Sequence, residues 1–366
     1  MPILQILDEI PDPRGYNIVH ALTDVLFVAF AAMLCGADTC TEMALFTEGR
    51  LELLRQFVPL RGGAPSHDTF SRVFRLLDSA AFGSAFEKLM AVFGQQARYE
   101  AQGRLAVDGK SLRRAYEKGC AHMPPLVVTV FECETFLSLA QTVAAQGGEA
   151  AAAIAALKML SLKGCLVSGD ALHCHRRFTQ TVIEDGGDYV LAIKGNQSKL
   201  ASEAAAALEV TAANPKTPIA ETEEEARGRH QVWRAIVTPF RQSPGKAALV
   251  GLRAVAHVEV WRTDKGVTTH EVRHYALSRL ISPSQVLAAV RGHWAIENNL
   301  HWQLDVLMAE DQARSRKDNG PANLAVLRRL TLNVLRTDPR KIPLSHKRLK
   351  ARWNDQEFLR LMSHMR

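Results

Sequence analysis

Two aspartates stand where carboxylates in α/β proteins often bind ligands. Asp108 ends an apolar run that begins at Arg104, and Asp170 ends a second apolar run that begins at Gly164. Both runs have the composition of buried strands, and ligand sites in α/β sheets form at the carboxyl ends of strands. We therefore expect the two carboxylates to meet at one edge of a sheet. An Asp-Gly turn is the alternative for Asp108, which precedes Gly109.

A third acidic residue lies in the helical segment 293–305. Glu297, His301 and Asp305 are spaced four residues apart, so a helix presents them as one polar stripe. Trp294 lies near that stripe. The combination favours a functional helix face, and the alternative is a solvated face with its tryptophans in the core.

Asp108, Asp170 and Glu297 form a set of oxygen ligands, which suits Mg²⁺ or Mn²⁺ better than Zn²⁺. Two such ions about 3.5–4 Å apart stabilise the attacking and leaving oxygens of an in-line phosphoryl displacement. The predicted chemistry is therefore metal-dependent phosphoryl transfer, and the chain has no P-loop that would indicate a nucleotide cofactor.

The elements that must position these residues divide the chain at about residue 99. Residues 1–98 have helical patterns throughout, which suit a helix-turn-helix DNA reader and any other helical bundle equally. Residues 99–366 alternate apolar strands with helices and predict an α/β domain. Within it, about 200–280 is predicted to be a β-rich insertion, although 198–228 has the composition of a helix followed by a polar loop.

The charge of the chain is concentrated near its end. The formal net charge of the 366 residues is +7, but residues 314–366 hold 14 basic and 4 acidic side chains. The first 99 residues hold 8 basic and 11 acidic side chains. A basic segment favours a polyanion partner, with nucleic acid preferred over a membrane surface. A solvated basic surface helix is the alternative.

Composition excludes several classes of protein. Hydrophobic residues make up 47% of the chain, which is ordinary for a globular protein and rules out a disordered chain or a collagen. The longest apolar stretch, 25–35, is too short to span a bilayer, which needs about 20 residues. Six cysteines without a CxxC pair indicate reduced thiols. We therefore expect a cytoplasmic protein with no membrane partner.

Short motifs in order along nearly the whole chain resemble the ISAs-type insertion-sequence transposases, the H-repeat-associated proteins. These are DDE transposases with a ribonuclease-H-like catalytic domain. The motifs that carry the resemblance are Asp12–Arg14, Cys35–Ala37, Pro65–Phe74, Val107–Lys110, Gly169–Ala171, Gly187–Gln197, His293–Asn298, Leu300–Trp302, Leu304–Val306, Glu310–Asp311 and Asn323–Leu330.

The resemblance implies a fold and an activity. The fold is a helical N-terminal domain followed by a ribonuclease-H-like mixed-sheet domain that carries the β-rich insertion, since the 126 residues between Asp170 and Glu297 exceed what the bare core needs. Asp108 is expected to bridge two Mg²⁺ (or Mn²⁺) ions, with Asp170 on one and Glu297 on the other. The activity is cleavage and strand transfer at the terminal inverted repeats of double-stranded DNA, and two ends held together imply a homodimer.

Candidate DNA contacts surround this triad. Lys110 and Lys194 adjoin strand ends, where they would contact phosphate, and Trp294 is suited to stacking on a base. The alternatives are surface lysines and a buried tryptophan. The basic segment 314–366 is expected to bind the phosphate backbone beside the active site. The full set is Lys110, Lys194, His293, Trp294, His301, Arg328, Arg329, Lys347, Arg348 and Lys350.

Two other functions are compatible with the same residues. A catalytically silent remnant of a transposase would keep DNA binding without cleavage. A Mg²⁺-dependent nuclease in another role would keep cleavage without transposition.

Overall fold

The computed structural model describes residues 2–16, 18–96, 103–115, 124–144, 148–226, 228–243, 245 and 248–363. They form a helical body and a large mixed sheet, so the predicted α/β fold with a helical N-terminal region is confirmed. Among the helices of these residues, none is both long and apolar enough to cross a membrane.

Helices and their connecting turns make up the described residues up to Gln96, as their patterns predict. Ser66 accepts a hydrogen bond from the backbone of Thr69, and Thr39 and Glu42 form a capping box, so side chains satisfy the free backbone groups at two helix starts. The helices are α1 (Pro2–Asp8), α2 (Leu22–Leu34), α3 (Cys40–Gly49), α4 (Leu51–Leu54), α5 (His67–Leu76) and α6 (Ser79–Gln96).

The C-terminal helices complete this helical body. They are α12 (Gly320–Thr337), α13 (Leu344–Trp353) and α14 (Asp355–Ser363). Helix α12 packs against α2, α5 and α6, and the buried amide of Asn323 donates to the carbonyls of Phe74 and Leu77. The apolar residues of both chain ends therefore share one hydrophobic core, in which α2 is buried along nearly its whole length.

The first five strands form the half of the sheet that carries the two aspartates. They are β1 (Arg104–Ser111), β2 (Leu126–Glu132), β3 (Ser138–Val143), β4 (Leu166–Gly169) and β5 (Asp188–Ile193). Strands β1, β2 and β3 are antiparallel neighbours, whereas β4 pairs in parallel with both β1 and β5. The strand order of this half is β3-β2-β1-β4-β5, and the sheet is mixed, as predicted.

Helices cover both faces of this half-sheet. On one face lie α7 (Gly148–Leu157), α8 (Arg176–Glu184) and α9 (Ser198–Ala212), whose apolar residues form a core with alternate residues of the strands. On the other face lies α10 (Pro283–Ala295), which begins at the capping box of Ser282 and Gln285. Because side chains alternate along a strand, neighbouring residues of β1 point to different helical layers.

The β-rich region continues the same sheet. Its strands are β6 (Ala220–Ala226), β7 (Arg229–Pro239), β8 (Ala254–Asp264) and β9 (Val267–Leu277). Strand β9 pairs antiparallel with β5, so the sheet order extends to β5-β9-β8-β7-β6. The predicted strands of this region are present, and they extend the catalytic sheet.

One prediction for this region is wrong. The Glu-rich end of 198–228, expected as a helix or polar loop, is the edge strand β6. Its glutamates pair across the sheet, because Glu221 contacts Arg234 at 3.1 Å and Glu223 contacts His230. Opposite charges directly across two strands stabilise a strand whose own residues have low β-propensity.

Candidate metal centre

A crevice opens where β1 and β4 separate. Their parallel pairing runs from Arg104 to Val107 on β1 and ends at Gly169 on β4. Asp108 follows Val107 and Asp170 follows Gly169. Both carboxylates therefore lie at the carboxyl end of the parallel pair, as predicted. Asp108 still pairs with Thr129 of β2, so it is a strand residue and the turn alternative is wrong.

The third carboxylate reaches the crevice on an unusual helical turn. Helix α10 continues into a π-helical turn, Ile296–His301, and then into α11 (Trp302–Val306). We expected an uninterrupted α-helix, but residue spacing alone does not distinguish the two. Ile296, Leu300 and Leu304 are buried in the core, which leaves the polar stripe facing β1. Such π-helical turns occur frequently at functional sites.

The structure brings the predicted triad to one cavity. Nδ1 of His301 lies 3.7 Å from Oδ2 of Asp108 and 3.5 Å from Oε2 of Glu297. Asp108, Glu297 and His301 each offer one ligand atom, and these three atoms lie within 4.8 Å of one another. Asp170 lines the same cavity of about 420 Å³, together with Asp108 and Glu297. The set fits a divalent cation, because it gathers carboxylate oxygens around one buried imidazole.

Burial and neighbouring charge shift the acidities of these groups. Burial raises the pKa of Asp108 to about 6, with the charges of Glu297 and Asp170 adding to the rise and His301 opposing it. A hydrogen bond from His301 lowers the pKa of Glu297. Burial also lowers the pKa of His293 to about 4, so that imidazole is neutral at pH 7. The repulsion that Glu297 and Asp170 exert on Asp108 would be relieved by a bound cation.

Two predicted DNA contacts are instead internal. Lys110 is buried, and its Nζ lies 2.7 Å from Oδ1 of Asp305 and 3.0 Å from Oδ1 of Asp311. That ammonium group therefore forms ion pairs with two carboxylates inside the protein. His301 is 8% exposed, and its ring nitrogen faces Asp108 and Glu297, with which it could hold a cation.

The expectation for the basic C-terminal segment is also wrong for four residues, which are buried. Arg329 contacts Oε1 of Glu310 at 3.2 Å, and Arg328 lies 4.0 Å from the same oxygen. Both stand on α12 between the helical body and the sheet. They compensate a carboxylate that is itself buried, and a phosphate backbone cannot reach them.

The other two candidate contacts that are buried, Lys347 and Arg348, lie on α13. Lys347 donates to the carbonyls of Leu335 and Asp338, and Arg348 donates to the carbonyl of Met33 and contacts Asp38. Lys350 is exposed on the same helix and is still a candidate contact. The net charge of residues 314–366 did not reveal that its arginines are paired inside the protein. Their acidic partners Asp38 and Glu310 lie outside that segment.

Three other candidate DNA contacts line the catalytic cavity: Lys194, His293 and Trp294. Lys194 is exposed, and His293 lies 3.3 Å from the hydroxyl of Ser168. The guanidinium carbon of Arg273 lies 4.9 Å from the centroid of the Trp294 ring. A base that stacks on Trp294 must therefore share the ring with an arginine.

Sequence reasoning missed two residues near the triad. Arg273, on β9, lines the cavity, and its place became visible only when β9 was found beside β5. Glu149, in the first turn of α7, has its Oε1 3.8 Å from Nε2 of His173. Burial and the charges of Asp108 and Asp170 raise the pKa of Glu149. An acidic residue in a first helical turn is ordinary, so no sequence signal distinguished it.

Comparisons with known proteins identify the family of the chain. The family model described as Transposase DDE domain matches residues 100–334, and the model described as DDE_Tnp_1-associated matches residues 4–90. A solved structure, the cryo-EM structure of a piggyBac transposase synaptic complex with hairpin DNA, aligns over 100% of this chain and 76% of that chain, with a TM-score of 0.43 and 12% identity.

Two curated proteins are similar over most of their length. "Putative transposase YncI" of Escherichia coli O157:H7 is 32% identical over 347 residues, which cover 91% of this chain and 87% of that protein. "H repeat-associated putative transposase YhhI" of Escherichia coli (strain K12) is 29% identical over 346 residues, which cover 92% and 90%. With the carboxylates at one crevice and these matches, the chain belongs to the DDE transposases of the insertion-sequence type.

Proposed function

We propose that this DNA transposase cuts and joins DNA at the inverted repeats of its element, and that Asp108, Asp170 and Glu297 are its catalytic residues. One observation carries the proposal: three carboxylates from two strand ends and a π-helical turn line a single cavity. The proposed cofactor is Mg²⁺ or Mn²⁺, bound as two ions by these side chains.

The residues around the cavity support this chemistry. When bound, a divalent cation polarises a phosphoryl oxygen and lowers the pKa of water. His301 orients Asp108 and Glu297 toward each other through one ring nitrogen. Lys194 and Arg273 line the opening, and their positive charge would attract the phosphate backbone that the carboxylates alone repel.

The assembly follows from the reaction. Transposition joins two element ends to one target, so we propose a homodimer on double-stranded DNA, with one cavity acting on each end. We propose that it acts in the cytoplasm, where bacterial DNA lies. Lys350, exposed on α13, is the remaining candidate phosphate contact of the C-terminal segment.

The test uses the full chain and a duplex that carries the inverted repeat read from the DNA flanking the gene. In Mg²⁺, the wild type is expected to nick the element end and join it to a target duplex. Asp170→Asn is expected to lose at least about 10³-fold in cleavage rate while binding the duplex as before. Asp68→Asn, whose side chain is 86% exposed on α5, is the matched control and should cleave normally.

Each other outcome counts against the proposal. Full cleavage by Asp170→Asn would end the triad assignment. Cleavage by the wild type without joining would indicate a nuclease in another role. Binding by the wild type without any cleavage would indicate a silent remnant.

A further inference from the structure

Side chains approach the carboxyl end of β1 from both faces of the sheet. Leu105 and Val107 of β1 pack in the core beneath α7, so alternation places Asp108 on the α10 face and Gly109 on the α7 face. Glu149 fills the space beside Gly109, because a Cβ built on that glycine would lie 2.5 Å from Oε1 of Glu149. Only glycine at this position lets the carboxylate come so close to the strand end.

A second, independent observation concerns His173, which lies beside the carboxylate of Glu149. The side chain of His173 is fully buried, and neither of its ring nitrogens has a hydrogen-bond partner within the described part of the chain. Its Nε2 lies 3.8 Å from Oε1 of Glu149 and 3.9 Å from Oδ1 of Asp170. The ring stacks on Phe178 with centroids 5.2 Å apart, which fixes its direction. Buried polar groups are almost always hydrogen-bonded, so this imidazole marks a polar site between the two carboxylates.

We propose that Glu149 is a fourth carboxylate of the metal centre, reaching it from the face of the sheet opposite Glu297. The inference rests on the proposed function, which places divalent cations at Asp108 and Asp170. Three carboxylates leave two divalent cations with one uncompensated positive charge, and Glu149 removes that excess. Lys110 does not alter this balance, because Lys110 and Arg113 together compensate the two carboxylates of Asp305 and Asp311.

The role of Glu149 is to hold a cation, directly or through a bound water, since Mg²⁺ usually keeps several waters. His173 is a positioning residue in this arrangement, because its imidazole lies between Glu149 and Asp170 and touches neither substrate nor cation. A neutral imidazole has one N–H to donate, and the two nearest acceptors are these carboxylates.

The test measures cation binding by the full chain without DNA, with Mn²⁺ followed by titration calorimetry and by electron paramagnetic resonance. Glu149→Gln keeps the shape of the side chain and removes its charge. Its Mn²⁺ affinity is expected to fall about 10–100-fold, with an unchanged melting temperature in chelator. Glu48→Gln, exposed on α3, should bind as the wild type does, and Asp108→Asn is the reference for loss of the centre.

The outcomes separate this inference from the proposed function. If Asp108→Asn loses Mn²⁺ binding and Glu149→Gln does not, Glu149 is not part of the centre, although the triad stands. If neither variant changes binding, the metal centre itself is wrong. Should Glu149→Gln fail to fold, Glu149→Asp supplies the test, since it keeps the charge and must retain more affinity than Glu149→Ala.

Discussion

Oδ2 of Asp108 lies 3.7 Å from Nδ1 of His301, and this approach joins the catalytic strand to the catalytic helix. The same nitrogen lies 3.5 Å from Oε2 of Glu297, one turn earlier. Two carboxylates that repel each other thus share one imidazole. His301 therefore sets the distance between the strand and the π-helical turn before any cation or DNA binds.

Replacing His301 tests this relationship. His301→Ala is expected to lower the cleavage rate about 10–100-fold, as the loss of a residue that orients metal ligands usually does. His301→Asn is expected to recover part of the rate, because its amide nitrogen stands near the position of Nδ1. The rates are measured on the element-end duplex, with His346→Asn, exposed on α13, as control. Wild-type cleavage by His301→Ala would contradict the role.

Arg329 is expected to contribute to folding and not to DNA binding. Arg329 and Glu310 are both buried, so Arg329→Met removes the nearer of the two guanidinium groups that compensate Glu310 and should lower the free energy of unfolding by about 3 kcal/mol. Lys350→Met, at an exposed position, should change it by less than about 0.5 kcal/mol. Urea denaturation at pH 7 measures both. A loss below about 1 kcal/mol for Arg329→Met would contradict the buried pair.

Glu87 makes stability depend on pH. Burial raises the pKa of this carboxyl on α6 from 4.5 to about 7, so the folded protein holds a proton that the unfolded chain has lost between those values. Stability therefore falls as the pH rises from 4.5 to 7. Glu87→Gln should match the wild type at pH 4.5 and be more stable at pH 8 by about 1 kcal/mol, a value discounted for solvent screening.

Thermal unfolding across this pH range, followed by circular dichroism, checks the Glu87 prediction. Glu48→Gln, exposed on α3 in the same helical body, keeps Glu87 and should follow the wild type across the range. Equal melting temperatures of Glu87→Gln and the wild type at pH 8 would show that ionisation of Glu87 does not lower the stability of the folded protein.

That three carboxylates meet at one cavity could be predicted from the sequence, because each follows a strong local pattern. Asp108 and Asp170 end apolar runs, and Glu297 belongs to a polar stripe beside a buried one. Strand ends in one sheet converge, so local patterns sufficed to predict a common site. The π-helical turn was not readable, because its residues have the same spacing as those of an α-helix.

Other features depend on residues that are distant in the chain. The strand β6 has no apolar alternation of its own and exists because β7 offers opposite charges across from its glutamates. The buried basic residues of α12 and α13 were misread for the same reason, since Glu310 and Asp38 compensate them only in the folded protein. Glu149 became visible only once Gly109 and His173 were seen beside it.

The shared core of the two chain ends has a consequence for how the protein is made. Helix α12 begins at Gly320, long after α6 ends at Gln96. At a synthesis rate of about 5–20 residues per second, the N-terminal helices wait roughly 10–50 s on the ribosome for their packing partner. A gene copy that has lost its 3′ end would therefore yield N-terminal helices whose apolar surface, normally covered by α12, is exposed to water.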